Sequence, residues 1–211
     1  MSSPSPARRR YASPRRAAAA AATRSAILDA ALALFLERGY ASTTMEAIAG
    51  RADVSPKTVY ATVRNRRGLL TAVLDRAIAG DEALVPIADR PWVAELRATP
   101  DPADRLAILG REGARILQRR VDIDAVLDRA ALVDAEAAEL AASVREERRV
   151  GQAALLRIAL APATVDDEAA DALFAIGSPE VYRSLTGSRG WTHDAFEAWY
   201  VQLLRRMFLT G

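Results

Sequence analysis

The sequence has no cysteine and one histidine, His193. Without cysteine there is no disulfide framework, thiolate nucleophile or cysteine metal site, and a single histidine leaves little from which to build another kind. No metal site and no cofactor are expected. Uninterrupted apolar runs of about 18 residues are missing, as is the apolar h-region of a secretory signal behind the arginine-rich start. No membrane partner is therefore expected, and the protein reads as cytoplasmic, nucleoid-associated when bound to DNA. Glycine-rich phosphate loops and nucleophile elbows are also missing. The carboxylates fall at helix-surface spacings with no converging nucleophile and base, so the chain does not read as an enzyme.

What is present is a chain of 211 residues, 51% hydrophobic and 27% charged, enough for one substantial core or a small module joined to a larger one. Net charge is only +2, yet residues 1–82 carry 13 basic and 7 acidic side chains while residues 83–211 carry 16 and 20. A basic N-terminal third fits a phosphate-facing module, because neutralising phosphates releases condensed counterions. Only Lys57 among the 29 basic residues is lysine.

Residues 1–13, rich in Ser, Pro and Arg, read as a basic arm, and the stretch to residue 22 as the arm running into helix 1, with Ser13 as cap and Pro14 in the first turn. Such an arm is either a bland tail or a DNA-touching one. From Arg24 to Arg38 the residues Ile27, Ala31, Leu34 and Phe35 recur at helical spacing and stop at Gly39. Thr43 or Thr44 then caps a short helix through Ile48 and Ala49, and Ser55 with Pro56 opens another that runs to about Val63. Asn65 caps a longer helix carrying Leu69, Leu70, Val73, Leu74 and Ile78. Further helices are expected over 102–120, 122–132, 135–160, 166–176, 179–186 and 193–209, with no strand.

Two short helices joined tightly need a small residue where they approach, a turn residue that tolerates left-handed geometry, and an apolar residue after it. Ala49, Asp53 and Val54 occupy those places. The whole stretch from Ile27 to Asp75, with Ala31, Phe35, Gly39, Tyr40, Thr43, Thr44, Ile48, Ala49, Ala52, Val54, Ser55, Thr58, Tyr60, Leu69 and Leu70, resembles the N-terminal domain of the TetR family of transcriptional regulators. Asp53 departs from the usual turn glycine, Lys57 stands where glycine is common, Thr62 and Val63 replace a frequent His-Phe pair, and Arg66 replaces a lysine.

The resemblance implies an all-α protein of about nine helices: a helix-turn-helix DNA-binding domain at 23–70 and a helical ligand-binding and dimerisation domain at 71–211. In this docking geometry the second helix of the motif enters the major groove with its N-terminal residues at base edges. By resemblance Lys57 and Thr58 face the groove, Tyr60 reaches a phosphate through its hydroxyl, and Thr43, Thr44 and Arg66 meet phosphates near helix N-termini. Ser55 is chiefly a cap, and Thr62 and Arg64 flank the reader.

On the last helix Phe196, Trp199, Tyr200, Leu203, Leu204 and Met207 form an apolar stripe that resembles the dimerising helix of the family, read here as part core and part contact between two copies. The family also implies a ligand pocket between residues 67 and 160. There Glu147 falls on the apolar stripe of its helix with Val144 and Gly151 and is expected to point inward, against a cationic ligand or an arginine of the chain. The remaining charges of the run Arg145 to Arg149 are read as solvated.

The expected partners are a double-stranded DNA operator, a second copy of the chain and an unidentified small-molecule inducer. An activator, or a regulator without a ligand, uses the same residues equally well. Lys57 and Thr62 also leave room for a helical ligand-binding protein without operator recognition.

Overall fold

The structure, a computed structural model, describes residues 14–81 and 85–209. The arm over residues 1–13 and the Ser13 cap lie outside them. Among the described residues there are ten α-helices: α1 (Pro14–Arg38), α2 (Met45–Arg51), α3 (Pro56–Val63), α4 (Arg66–Ala79), α5 (Pro91–Ala98), α6 (Pro102–Ala131), α7 (Ala135–Leu160), α8 (Asp167–Ile176), α9 (Pro179–Arg183) and α10 (His193–Leu209). Short turns of 3-10 helix at Ile87–Asp89 and of π-helix at Ser184–Ser188 complete the order.

Capping chemistry fixes most boundaries. Side chains of Thr44, Ser55, Asn65, Asp101, Asp134, Asp166 and Ser178 accept hydrogen bonds from backbone N–H groups of the following first turn, relieving donors that a helix start leaves unpaired. Gly39 and Gly80 end α1 and α4 with φ of +78° and +82°, a conformation that glycine adopts without steric cost.

The segments expected at 102–120 and 122–132 are one helix. Asp124 sits one turn after Arg120 and accepts from its Nε and Nη2 at 2.6 and 2.8 Å, so the helix gains a pair across the expected gap. α5 has no counterpart in the sequence reading. It is two turns long, started by Pro91, and it buries Val93 and Leu96.

Two apolar cores result. The first joins α1–α4 (Ile27, Leu34, Phe35, Ile48, Val59, Leu69, Leu70, Leu74) to the C-terminal end of α6 (Ile123, Val126, Leu127) and the start of α7 (Ala137, Leu140, Ala141). The second gathers α5, the start of α6, the end of α7, and α8 to α10 around Leu106, Leu117, Leu156, Leu173, Phe196 and Leu204. The two long helices α6 and α7 thus belong to both. By length and composition the stretch Arg15–Arg38 could cross a membrane, but Ile27, Leu28, Ala31, Leu34 and Phe35 are fully buried in the first core.

Candidate nucleic-acid interface and cavity

α2 and α3 meet through the four residues 52–55. Among them Asp53 has φ of +53°, the left-handed geometry that the turn demands and that Asp tolerates better than most side chains. Val54 donates its N–H to the Ala49 carbonyl at 3.0 Å, closing the turn. Ser55 Oγ accepts from the Thr58 N–H at 3.2 Å and lies 2.8 Å from Thr58 Oγ1. With Pro56 next in line, the entry to α3 is rigid.

Val59 and Val63 face inward, and this fixes what faces out. Lys57, Tyr60, Ala61 and Arg64 are exposed at helical spacing on the outer side of α3, with Tyr60 46% accessible. Thr58 and Thr62 are half-buried, and Thr62 donates its hydroxyl to the Thr58 carbonyl at 2.8 Å. Arg64 has φ of +50°, which turns the chain sharply into the Asn65 cap of α4. Ala61 was not singled out in the sequence, because a small apolar side chain carries no signal of its own.

Two expected phosphate contacts are corrected. Thr43 is completely buried, its hydroxyl donating to the carbonyls of Gly39 at 2.8 Å and Leu34 at 3.2 Å, so it locks the end of α1 and cannot meet a phosphate. Thr44 alone caps α2, is exposed, and accepts from Ala47 N–H at 3.1 Å. Arg66 lies over the Tyr40 ring, 4.3 Å from the centroid, while its Nη1 donates to the Ala41 carbonyl at 3.0 Å and its Nη2 stands 3.7 Å from Asp134. Its guanidinium is occupied within the protein.

Beyond α4 a cavity of about 540 Å³ opens between α4, α6, α7 and α10, walled mainly by apolar side chains such as Leu74, Ile78, Leu109, Ile116, Leu117 and Leu155. Glu147, Val144 and Gly151 all line it. Glu147 is not buried, however, and its partner is the Ser143 hydroxyl at 2.9 Å, not an arginine. The residue of that run that turns inward is Arg148: its Nη1 donates to the carbonyls of Phe174 at 2.8 Å and Gly177 at 3.2 Å, and its guanidinium sits 3.8 Å over the Phe174 ring. In sequence it is one arginine among several, and nothing in the spacing separates it.

The charges on the wall are unequal in their surroundings. Desolvation, then the nearby Glu147 charge, raises the Asp75 pKa against the pull of Arg24. Desolvation, then Arg120, lowers that of Arg148. Tyr200 is buried, and this drives its hydroxyl pKa upward. Among the described residues no group of three or more His, Asp or Glu side chains could hold a metal ion.

The predicted interface stripe on α10 divides. Phe196, Tyr200 and Leu204 are buried in the second core of the same chain, Phe196 packing edge-on to Tyr182 at 4.6 Å between centroids. These three are core, a correction to their place at an interface. Trp199 and Leu203 are half-buried, Met207 is 40% and Leu209 39% accessible. His193 stands 3.1 Å from the Tyr182 hydroxyl through Nδ1, a structural contact at the start of α10.

Residues 27–73 match the family described as bacterial regulatory proteins, tetR family. Over 54 residues the chain is 41% identical to the uncharacterized HTH-type transcriptional regulator YvkB of Bacillus subtilis (strain 168), a match that spans 26% of this chain and only 29% of that relative. The whole fold is similar to that of a putative TetR-family transcriptional regulator from Syntrophomonas wolfei, with a TM-score of 0.67 at 13% identity, over 89% of this chain and 95% of the other. It is also similar to NalD, the secondary repressor of the MexAB-OprM multidrug efflux pump in Pseudomonas aeruginosa, with a TM-score of 0.60 at 23% identity, over 89% and 96%.

Proposed function

We infer, from a chain that belongs by its N-terminal domain and its fold to the tetR family of bacterial regulatory proteins, that it is a dimeric repressor which binds a near-palindromic operator and leaves it when a small molecule enters the cavity. The observation that carries the reading is the outer face of α3. Lys57, Tyr60 and Arg64 stand exposed on a helix whose entry is fixed by Ser55 and Pro56, within the domain matched to the family.

In this reading Lys57 and Thr58 meet the major groove, the Tyr60 hydroxyl and Arg64 reach phosphates on either side, and Thr62 supports the helix from within the motif. Thr44 and Ser55 offer the capped N-termini of α2 and α3 to the backbone. Met207, Leu209, Leu203 and Trp199 supply the apolar edge of α10 against a second copy. The functional division falls near residue 70, with the operator-reading part before it and the ligand and dimer part after it, in the cytoplasm.

Repression, rather than activation, is favoured by the similarity to NalD, which is described as a repressor. Release follows from linkage: a ligand shifts the equilibrium only through unequal affinity for two conformations, and α4 touches both the reading helices and the cavity.

The test is selection of bound duplexes from a random library by the purified full chain, with sedimentation to give its mass. A near-palindrome with half-sites about 34–36 Å apart, bound by two copies, is expected. Binding indifferent to sequence would leave a helical ligand-binding protein without an operator.

A further inference from the structure

We propose that the cavity takes an organic cation, a positively charged group on an apolar body, held at Asp75 and Glu147. The proposal rests on the ligand-bound reading above and adds the chemistry of the ligand. Asp75 on α4 and Glu147 on α7 both line the cavity, and the Glu147 charge is felt at Asp75. Neither has an Arg, Lys or His within 4.0 Å among the described residues, whereas the buried Asp124 is paired with Arg120.

Of the neighbouring cations, Arg76, Arg120 and Arg148 are already committed. Arg76, next in sequence to Asp75, meets Asp29 at 2.9 Å, and Arg24 acts on Asp75 only through space. On the opposite wall Arg120 is held by Asp124 through two hydrogen bonds. Arg148 is spent on two carbonyls at the C-terminal end of α8, where helix carbonyls favour positive charge, and on the Phe174 ring. An anionic ligand would have to displace these partners.

The polar demand left in the wall is for positive charge and donors. The rest of the wall is aliphatic, with Trp92 and Tyr200 as aromatic surface, and 540 Å³ lies within the range that holds a drug-sized molecule. A carboxylate pair in such a recess repels itself, and a cation between the two removes the repulsion.

The experiment compares decylammonium, 1-decanol and decanoate, which share one tail and differ in charge, by calorimetric titration of the full chain, with tryptophan quenching as a second readout. Decylammonium is expected to bind at least about tenfold tighter than decanol, about 1.4 kcal/mol, and decanoate weakest. Asp75→Asn and Glu147→Gln should each reduce decylammonium affinity about fivefold and leave decanol unchanged. Both side chains are water-accessible on helix surfaces, so the variants should keep the wild-type circular dichroism, and the ranking of the three amphiphiles on the unaltered chain needs no variant. Decanoate binding as tightly as decylammonium, or a cation preference that survives the double substitution, overturns the proposal while leaving a ligand cavity. Binding of none of the three overturns the ligand-bound reading itself.

Discussion

Lys57 and Arg66 are both basic residues at the first turn of a helix in the reading domain, and the structure separates them. Lys57 is exposed with no hydrogen bond or ion pair among the described residues, whereas Arg66 is fastened to Tyr40, Ala41 and Asp134. A cation that enters the DNA field releases about 0.9 counterion, so Lys57→Ala in both half-sites should flatten the slope of log K against log salt by about 1.8. Between 50 and 200 mM salt, a fourfold change, the affinity gap between the unaltered protein and the variant should then narrow by about 12-fold. Arg66→Ala should leave the slope unchanged and instead lower stability by about 1–2 kcal/mol, from the ring contact and the carbonyl hydrogen bond at a half-exposed site. The assays are fluorescence anisotropy on the selected operator across a salt series and urea denaturation of the free protein. A flattened slope for Arg66→Ala together with an unchanged one for Lys57→Ala would refute this division of labour.

Asp124→Ala should destabilise the protein by about 3–5 kcal/mol, because it leaves the buried Arg120 charge without its partner; a urea midpoint measures it. Gly110→Ala should cost about 1–2 kcal/mol despite a better helix former, since the new methyl would stand 2.8 Å from Val201 Cγ2 and 3.2 Å from its Cα, pushing α6 from α10; chemical denaturation with unchanged m-value checks this. Asp75 carries a raised pKa, so the folded state holds its proton more tightly than the unfolded chain. That group therefore favours the fold at acid pH and penalises it once pH has risen through the folded pKa. Asp75→Asn should raise the urea midpoint at pH 7, and the gain should vanish below the ordinary carboxylate range.

The reading motif was legible because its signals are local. Ser55-Pro56, Asn65, Gly39 and the left-handed Asp53 each report on their own backbone, and a cap or a turn needs no distant partner. Thr43 and Thr44 show the limit: adjacent residues of one type, of which the exposed one caps and the buried one ties α1 to the loop, a choice made by packing of Leu34 and Gly39 that no spacing encodes. Arg66 was misplaced for the same reason, since Tyr40 and Asp134 lie 26 and 68 positions away in a chain that sequence alone does not fold. In the cavity, periodicity brought out Glu147 but not Asp75 or Arg148, whose roles depend on three helices meeting. α5 escaped notice because two turns with one apolar face are too few to establish a period.

The length of α6 has a mechanical consequence. Its 30 residues make a rod about 45 Å long, anchored near one end among α5 and α10 and at the other among the reading helices. A rod of that length turned by about 3° carries its far end roughly 2 Å sideways. A closely packed core cannot absorb such a shift at one end without passing it on. A guest too small to unfold anything could therefore reposition α3, with leverage taking the place of contact.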